Sequence, residues 1–279
     1  MKQHRNRNRI IRKSISLLII GSMMLLMLGG CVASEKAYQG KPLEASLLKE
    51  KAVAGSLSGL RITYDELQIQ IEAAEVQAVL QQYQTYADAN PDYVGWLYLK
   101  DTMVNGPVVQ SQLDGDGYWE YLYKDFYGND QFAGTLFLDK ACSIGESPTD
   151  NWIIYGHNMN NGSMFGTLKY YRNPEFWEEH PTFCFVTRDS IVTFEILGVV
   201  QSWVSDVPEG QFEYYFFFDA ADETEFNAFV QQVKSNALYE TEVEAEYGDQ
   251  LITLSTCDGW HTEGRLAIIG RRISEKKGL

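Results

Sequence analysis

The stretch Leu251-Ile252-Thr253-Leu254-Ser255-Thr256-Cys257-Asp258-Gly259 decides how this chain is read. An uncharged run of strand-forming and small residues ends in a cysteine, and Asp-Gly follows at once as a turn signal. Cys257 therefore stands at a strand exit, where a thiol points from a rigid element into a rim. A second run ends in the same way, with Trp152-Ile153-Ile154-Tyr155 leading into Gly156-His157-Asn158. Two strand exits can meet at one barrel rim, and a histidine beside a cysteine is the pairing that turns a thiol into a nucleophile.

Outward from these runs, the chain after Asn90-Pro91 consists of short segments rich in Val, Ile, Tyr, Phe and Trp. They are Val94–Leu99, Val104–Gln110, Gly134–Leu138, Thr182–Val186 and Val192–Val200, besides the two already quoted, with turn-forming residues between them. This texture predicts a mainly β domain over 91–279, a mostly antiparallel sheet or closed barrel rather than alternating β-α units. One stretch breaks the pattern. From Phe218 to Tyr239, Phe226, Phe229, Val230 and Val233 fall on one helical face, with acids in the first turn and Lys234 near the end. A helix is therefore expected just before the cysteine strand. Upstream, Leu67, Ile69, Ile71, Ala74, Ala78, Val79 and Leu80 are partly at helical spacing and predict an N-terminal helix over 65–90.

Residues 35–64, rich in Lys, Ala, Ser and Gly, read as a stalk. Residues 1–34 read as a leader: Lys2, Arg5, Arg7, Arg9, Arg12 and Lys13 stand with no acid among them before an apolar run from Ile15 to Leu28. Leu28-Gly29-Gly30-Cys31 resembles a bacterial lipobox, so an uncleaved signal-anchor and lipidation at Cys31 both stay open. Either would tether the protein to the outer face of a membrane.

Charge narrows the partners. Of 23 Lys and Arg, 17 remain outside the leader against 38 Asp and Glu, an excess that argues against nucleic acid. Outside the leader the cysteines are Cys142, Cys184 and Cys257, which cannot all pair, so at least one thiol is free or intermolecular. Cys184, inside the alternating run Thr182–Val186, reads as a small strand residue. The histidines there are His157, His180 and His261. His180, in Glu-Glu-His-Pro, reads as surface; His261 could serve as a local base, although Gly259 and Trp260 suggest a loop turning away. The plain alternative for His157 is a loop histidine satisfied by a carbonyl. No C-x-x-C or H-x-x-x-H spacing supports a zinc site, no cofactor is expected, and no G-x-S-x-G elbow supports a serine hydrolase.

These residues also carry a resemblance. Thr253-Leu254-Ser255-Thr256-Cys257, with Arg265 eight positions on in Gly264-Arg265-Leu266-Ala267-Ile268-Ile269, resembles the sortase signature TLxTC followed by an arginine strand. Tyr155-Gly156-His157-Asn158 with Ser163-Met164-Phe165, Asn90–Leu97 running on to Pro107-Val108-Val109-Gln110, and Gly134–Asp139 resemble class B sortases. So does the helix inserted before the cysteine strand. The likeness covers roughly residues 75 to 272.

The resemblance implies an eight-stranded sortase β-barrel with an N-terminal helical appendage, on the outer membrane face of a Gram-positive-type bacterium. It implies Cys257 as nucleophile, His157 as its proton partner and Arg265 as electrostatic helper. Ser255, Thr256 and Asn158 would bind substrate or support the site. The expected substrates are secreted proteins with a C-terminal sorting signal, of Asn-Pro-x-Thr or Pro-x-Thr type, cut after Thr through a thioacyl intermediate and passed to a peptidoglycan-precursor amine. Two other readings stay open: a hydrolytic exported cysteine endopeptidase, and a non-catalytic wall-associated binding module.

Overall fold

The apolar runs form eight strands: β1 (Tyr93–Tyr98), β2 (Asn105–Val109), β3 (Leu136–Leu138), β4 (Asn151–Tyr155), β5 (Thr182–Val186), β6 (Ser190–Trp203), β7 (Leu251–Cys257) and β8 (Gly264–Lys277). The computed structural model describes residues 64–113, 115–204, 210–257, 259 and 263–278. The leader with Cys31, the stalk up to residue 63, and His261 lie outside the described residues. The strands close a barrel in the order β1-β2-β3-β4-β7-β8-β6-β5, and Trp96–Tyr98 pairing with Cys184–Val186 completes the ring.

Most neighbours are antiparallel, but β2 with β3 and β4 with β7 run parallel. A parallel pair needs a long crossover, and between β4 and β7 that crossover carries β5, β6 and the inserted helix. The long strands β6 and β8 pair from Ser190↔Lys277 to Trp203↔Gly264, with bulges on the way. That ribbon runs beyond the apolar run Val192–Val200, because the ladder carries its ends, where Ser190 and Ser202 are also buried.

Among the described residues, three α-helices lie outside the ring: α1 (Tyr64–Ala89), α2 (Pro174–Glu179) and α3 (Glu223–Asn236). Helix α1 buries Val76, Val79, Leu80, Tyr83 and Tyr86, the i, i+3, i+4, i+7 spacing of one helical face, against Tyr93, Trp96 and Ile191. Helix α2 starts where Asn173 caps it and Pro174 occupies its first turn. Helix α3 is capped by the Asp222 carboxylate, which accepts from Glu225 N at 3.0 Å. Its buried face, Phe226, Phe229, Val230 and Val233, lies on Leu197, Val200, Leu251, Ala267 and Ile269 on the outer surface of the barrel.

Side-chain alternation along β7 fixes what faces where. Ile252 and Leu254 belong to the cluster that fills the barrel, with Phe194, Leu266 and Ile268. Leu251 belongs to the outer cluster under α3. By the two-residue period, Thr253, Ser255 and Cys257 share the outer face with Leu251. The inserted segment and the strand-end thiol thus occupy the same side of the sheet.

Removing the largest anchor of α3 tests this packing. Phe226 is fully buried, so Phe226→Ala should lower the unfolding free energy by about 3–5 kcal/mol in urea titrations.

Candidate active site

Strand register brings the site together. β4 and β7 run parallel, with Tyr155 level with Ser255, so the next two residues of each strand emerge side by side at one rim. The alignment continues past the end of β4. Gly156 N donates to Ser255 O (3.2 Å), Thr256 Oγ1 to Gly156 O (2.7 Å) and Asn158 Nδ2 to Cys257 O (2.9 Å). His157 and Cys257 therefore lie on adjoining chain segments although they are a hundred residues apart. On the other side of β7, Cys257 pairs with Arg265 at the start of β8. Directly opposed residues of an antiparallel pair project to the same face, with Cβ atoms about 4.5–5.5 Å apart.

Gly156 is needed at the rim for space: a Cβ there would fall 2.4 Å from Leu136 Cδ2 and 2.9 Å from Phe165. The loop beyond it is held by Met159 N and Phe165 N, both donating to His157 O, at 3.1 and 2.9 Å.

The three polar groups differ in their surroundings. Cys257 is exposed and free. His157 Nε2 lies 2.9 Å from Leu122 O; a carbonyl only accepts, so Nε2 carries the hydrogen and Nδ1 is left for proton exchange. The carbonyl of the plain reading is present, and it acts to fix the tautomer of a rim histidine. Arg265 donates to its neighbour Gly264 O at 3.1 Å and approaches Glu263 only to 3.9 Å. With five N–H donors on the guanidinium, most remain for another acceptor among the described residues.

The hydroxyls before the nucleophile are both covered, on opposite faces of β7. Ser255 and Thr256 are buried, Thr256 bonded to Gly156 O and Ser255 Oγ lying 2.7 Å from the Tyr214 hydroxyl. Both hydroxyls are engaged within the protein. Tyr214, in a short 3-10 turn Tyr214–Phe216, is fully buried; burial pushes its phenol pKa up, with the Ser255 bond acting the other way. The same face of β7 is bound again at Thr253, whose Oγ1 donates to Asn151 Oδ1 (2.9 Å) while Asn151 Nδ2 donates to Phe217 O (2.8 Å).

The other candidates fall elsewhere. Cys142 is a buried thiol, close to Asn151 O and Ile153 N, and burial pushes its pKa up to about 12. Cys184 is buried in β5. His180 is half-buried rather than a plain surface residue: its ring stacks on Phe176 at 4.2 Å and Nδ1 lies 3.0 Å from Phe176 O at the end of α2. Sequence reasoning did not find Leu122, Tyr214, Tyr123 or Phe132. The last two flank His157, at ring-centroid distances of 5.4 and 5.9 Å. Among the described residues no group of three or more His, Cys, Asp or Glu could hold a metal, and no helix is long and apolar enough to cross a membrane.

Sortase B of Listeria monocytogenes is 31% identical over 265 residues, covering 94% of this chain and 97% of that protein. The chain belongs to the class B sortases. It is thus a cysteine transpeptidase of the sortase family. Solved structures agree with this sortase's barrel: Listeria monocytogenes sortase B matches with a TM-score of 0.57 at 32% identity over 68% of this chain and 99% of that one. Staphylococcus aureus sortase B matches with a TM-score of 0.63 at 26% identity over 76% of this chain and 97% of that one. No protein-family model matches the chain.

Two expectations follow. Brief iodoacetamide treatment of the native sortase should label Cys257, whereas Cys142 should label only after denaturation, as read by peptide mass mapping. Tyr214→Phe leaves the Ser255 hydroxyl buried without its partner and should cost about 1–3 kcal/mol in urea unfolding.

Proposed function

We propose that Cys257, His157 and Arg265 are the catalytic groups of a membrane-tethered transpeptidase on the outer face of a Gram-positive-type cell. The observation that supports this reading is the register of β4, β7 and β8: an exposed thiol ends the strand between the segment that carries His157 and the strand that carries Arg265, whose guanidinium among the described residues donates to Gly264 O. The Cys257 thiolate attacks the carbonyl of the threonine in a C-terminal sorting motif of Asn-Pro-x-Thr or Pro-x-Thr type. A C–S bond forms, the peptide C–N bond breaks, and His157 gives its proton to the departing amine. A peptidoglycan-precursor amine then attacks the thioester: the amide C–N bond forms, the C–S bond breaks, and His157 takes the proton that the nitrogen loses and passes it to the sulfur.

Arg265 keeps its charge throughout, so it stabilises the developing oxyanion or holds the substrate backbone and does not move protons. The hydroxyls of Ser255 and Thr256 keep the rim rigid, and Asn158 ties the histidine loop to the nucleophile's own carbonyl. The tether is either the basic, then apolar, leader kept as a signal-anchor or a lipid carried on Cys31.

Mass spectrometry of the protein with candidate sorting peptides and a small amine tests the reading. The expected result is a thioacyl adduct on Cys257 and an amine-ligated product, both absent in Cys257→Ala. His157→Ala and Arg265→Ala should each slow turnover by about two to three orders of magnitude. Peptides cut but never ligated, even at high amine concentration, would replace this reading with an endopeptidase.

A further inference from the structure

Tyr123 and Phe132 are large aromatic side chains left in water, 54% and 74% exposed. Neither rides on a loose segment. The loop between them folds back on itself: Gln131 N donates to Tyr123 O and Asp125 N to Asn129 O, both at 2.8 Å, and Lys124 bridges to Asp130. Gly128 supplies the left-handed turn residue, φ 76°. The Asp125 carboxylate accepts from Tyr127 N and Asn129 N at 2.9 Å each. Backbone pairing thus holds both rings largely in the open.

Their position is specific. The two rings lie 6.4 Å apart, and each borders His157, Phe132 in a parallel stack at 5.9 Å and Tyr123 tilted at 5.4 Å. A group held on the side of either ring that borders His157, within the range of about 6 Å over which an aromatic face attracts a cation, is therefore beside the imidazole. Charge in the loop favours a cation as well. Residues 123–132 hold Asp125 and Asp130 against Lys124, and Lys124 is already paired with Glu120 at 2.6 Å.

We infer that Tyr123 and Phe132 form the subsite for the acyl acceptor, receiving its amine as an ammonium ion over their faces and delivering it to His157. The inference rests on the transpeptidase reading above and names the residues that favour an amine over water. An aliphatic amine arrives protonated near neutral pH, and overall its ammonium loses two protons on becoming an amide. The first passes through His157 to solvent, freeing the nitrogen lone pair. The second, released as the C–N bond forms and the C–S bond breaks, passes through His157 to the Cys257 sulfur. Water, being neutral, draws no such help from the rings, so the subsite biases the thioester towards ligation.

The test compares two acceptors with the full-length protein and a sorting peptide at neutral pH: glycinamide, mostly an ammonium ion, and hydroxylamine, mostly neutral. For Phe132→Leu and Tyr123→Leu, which keep apolar bulk but lose the ring, the KM for glycinamide should rise about three- to fivefold each. The KM for hydroxylamine should move less than twofold, and the ratio of ligated to hydrolysed product with glycinamide should fall. Phe132→Tyr should restore the glycinamide KM. Equal losses for both acceptors would make the rings mere shape or support for His157, and unchanged KM values would remove them from the acceptor path; either result overturns the subsite. A wild-type protein that forms no thioacyl adduct overturns the transpeptidase reading, and the subsite with it.

Discussion

The lateral register of β7 between β4 and β8 is the constraint on which the site depends. Because side chains alternate with a period of two, a slip of one residue would turn Cys257 into the barrel and Leu254 out of it. The slip is opposed from both faces. Ile252 and Leu254 are locked into the interior cluster, while Thr253 and Ser255 are hydrogen-bonded to Asn151 and Tyr214 on the outside. Each of those bonds joins a buried polar group to a buried partner, and such a group left alone costs about 1–3 kcal/mol. A strand whose inner apolar side chains fill the barrel and whose outer hydroxyls are satisfied has one register, and that register sets the thiol at the rim.

The inserted segment serves the same end. Asn151 is the junction: its side chain holds Thr253 of β7 and the carbonyl of Phe217, and its own N–H donates to Phe218 O. The stretch that leads into α3 is thus sewn to the two strands that carry the cysteine and the histidine. Phe226 and Val233 then press the helix onto the outer surface of β6, β7 and β8. The wall beside Cys257 is held by backbone and side-chain bonds at its base, while Phe216 at its crest stays 70% exposed.

Much of this was legible in the sequence, for local reasons. Strand runs, the face of α3 and the turn after Cys257 depend on residues a few positions apart, and the run Thr253–Cys257 with Arg265 carried the family likeness. What was not legible depends on distance along the chain. The parallel pairing of β4 with β7 joins segments a hundred residues apart, and neither strand's composition names its neighbour. Tyr214 meets Ser255 across 41 residues, and Leu122 meets His157 across 35. Tyr123 and Phe132 lie in a polar, turn-rich loop, where aromatics carry no periodic signal. His180 misled because Glu-Glu-His-Pro reads as polar surface, whereas the helix end folds its ring onto Phe176.

The place of β8 in the ring has a temporal consequence. Strand β8, which follows every other strand of the ring, sits between β7 and β6, so a polypeptide emerging from its N-terminus cannot close the barrel until residues 264–277 are available. Until then both neighbours present unpaired edges, the kind of surface that recruits foreign strands. The pairing of β8 with β6, from Trp203↔Gly264 to Ser190↔Lys277, joins residues far apart in sequence, which makes closure a late event in folding. The thiol at the end of β7 therefore gains its arginine partner only when the whole domain has been made, and a chain cut short before Gly264 holds a cysteine and a histidine in an open sheet.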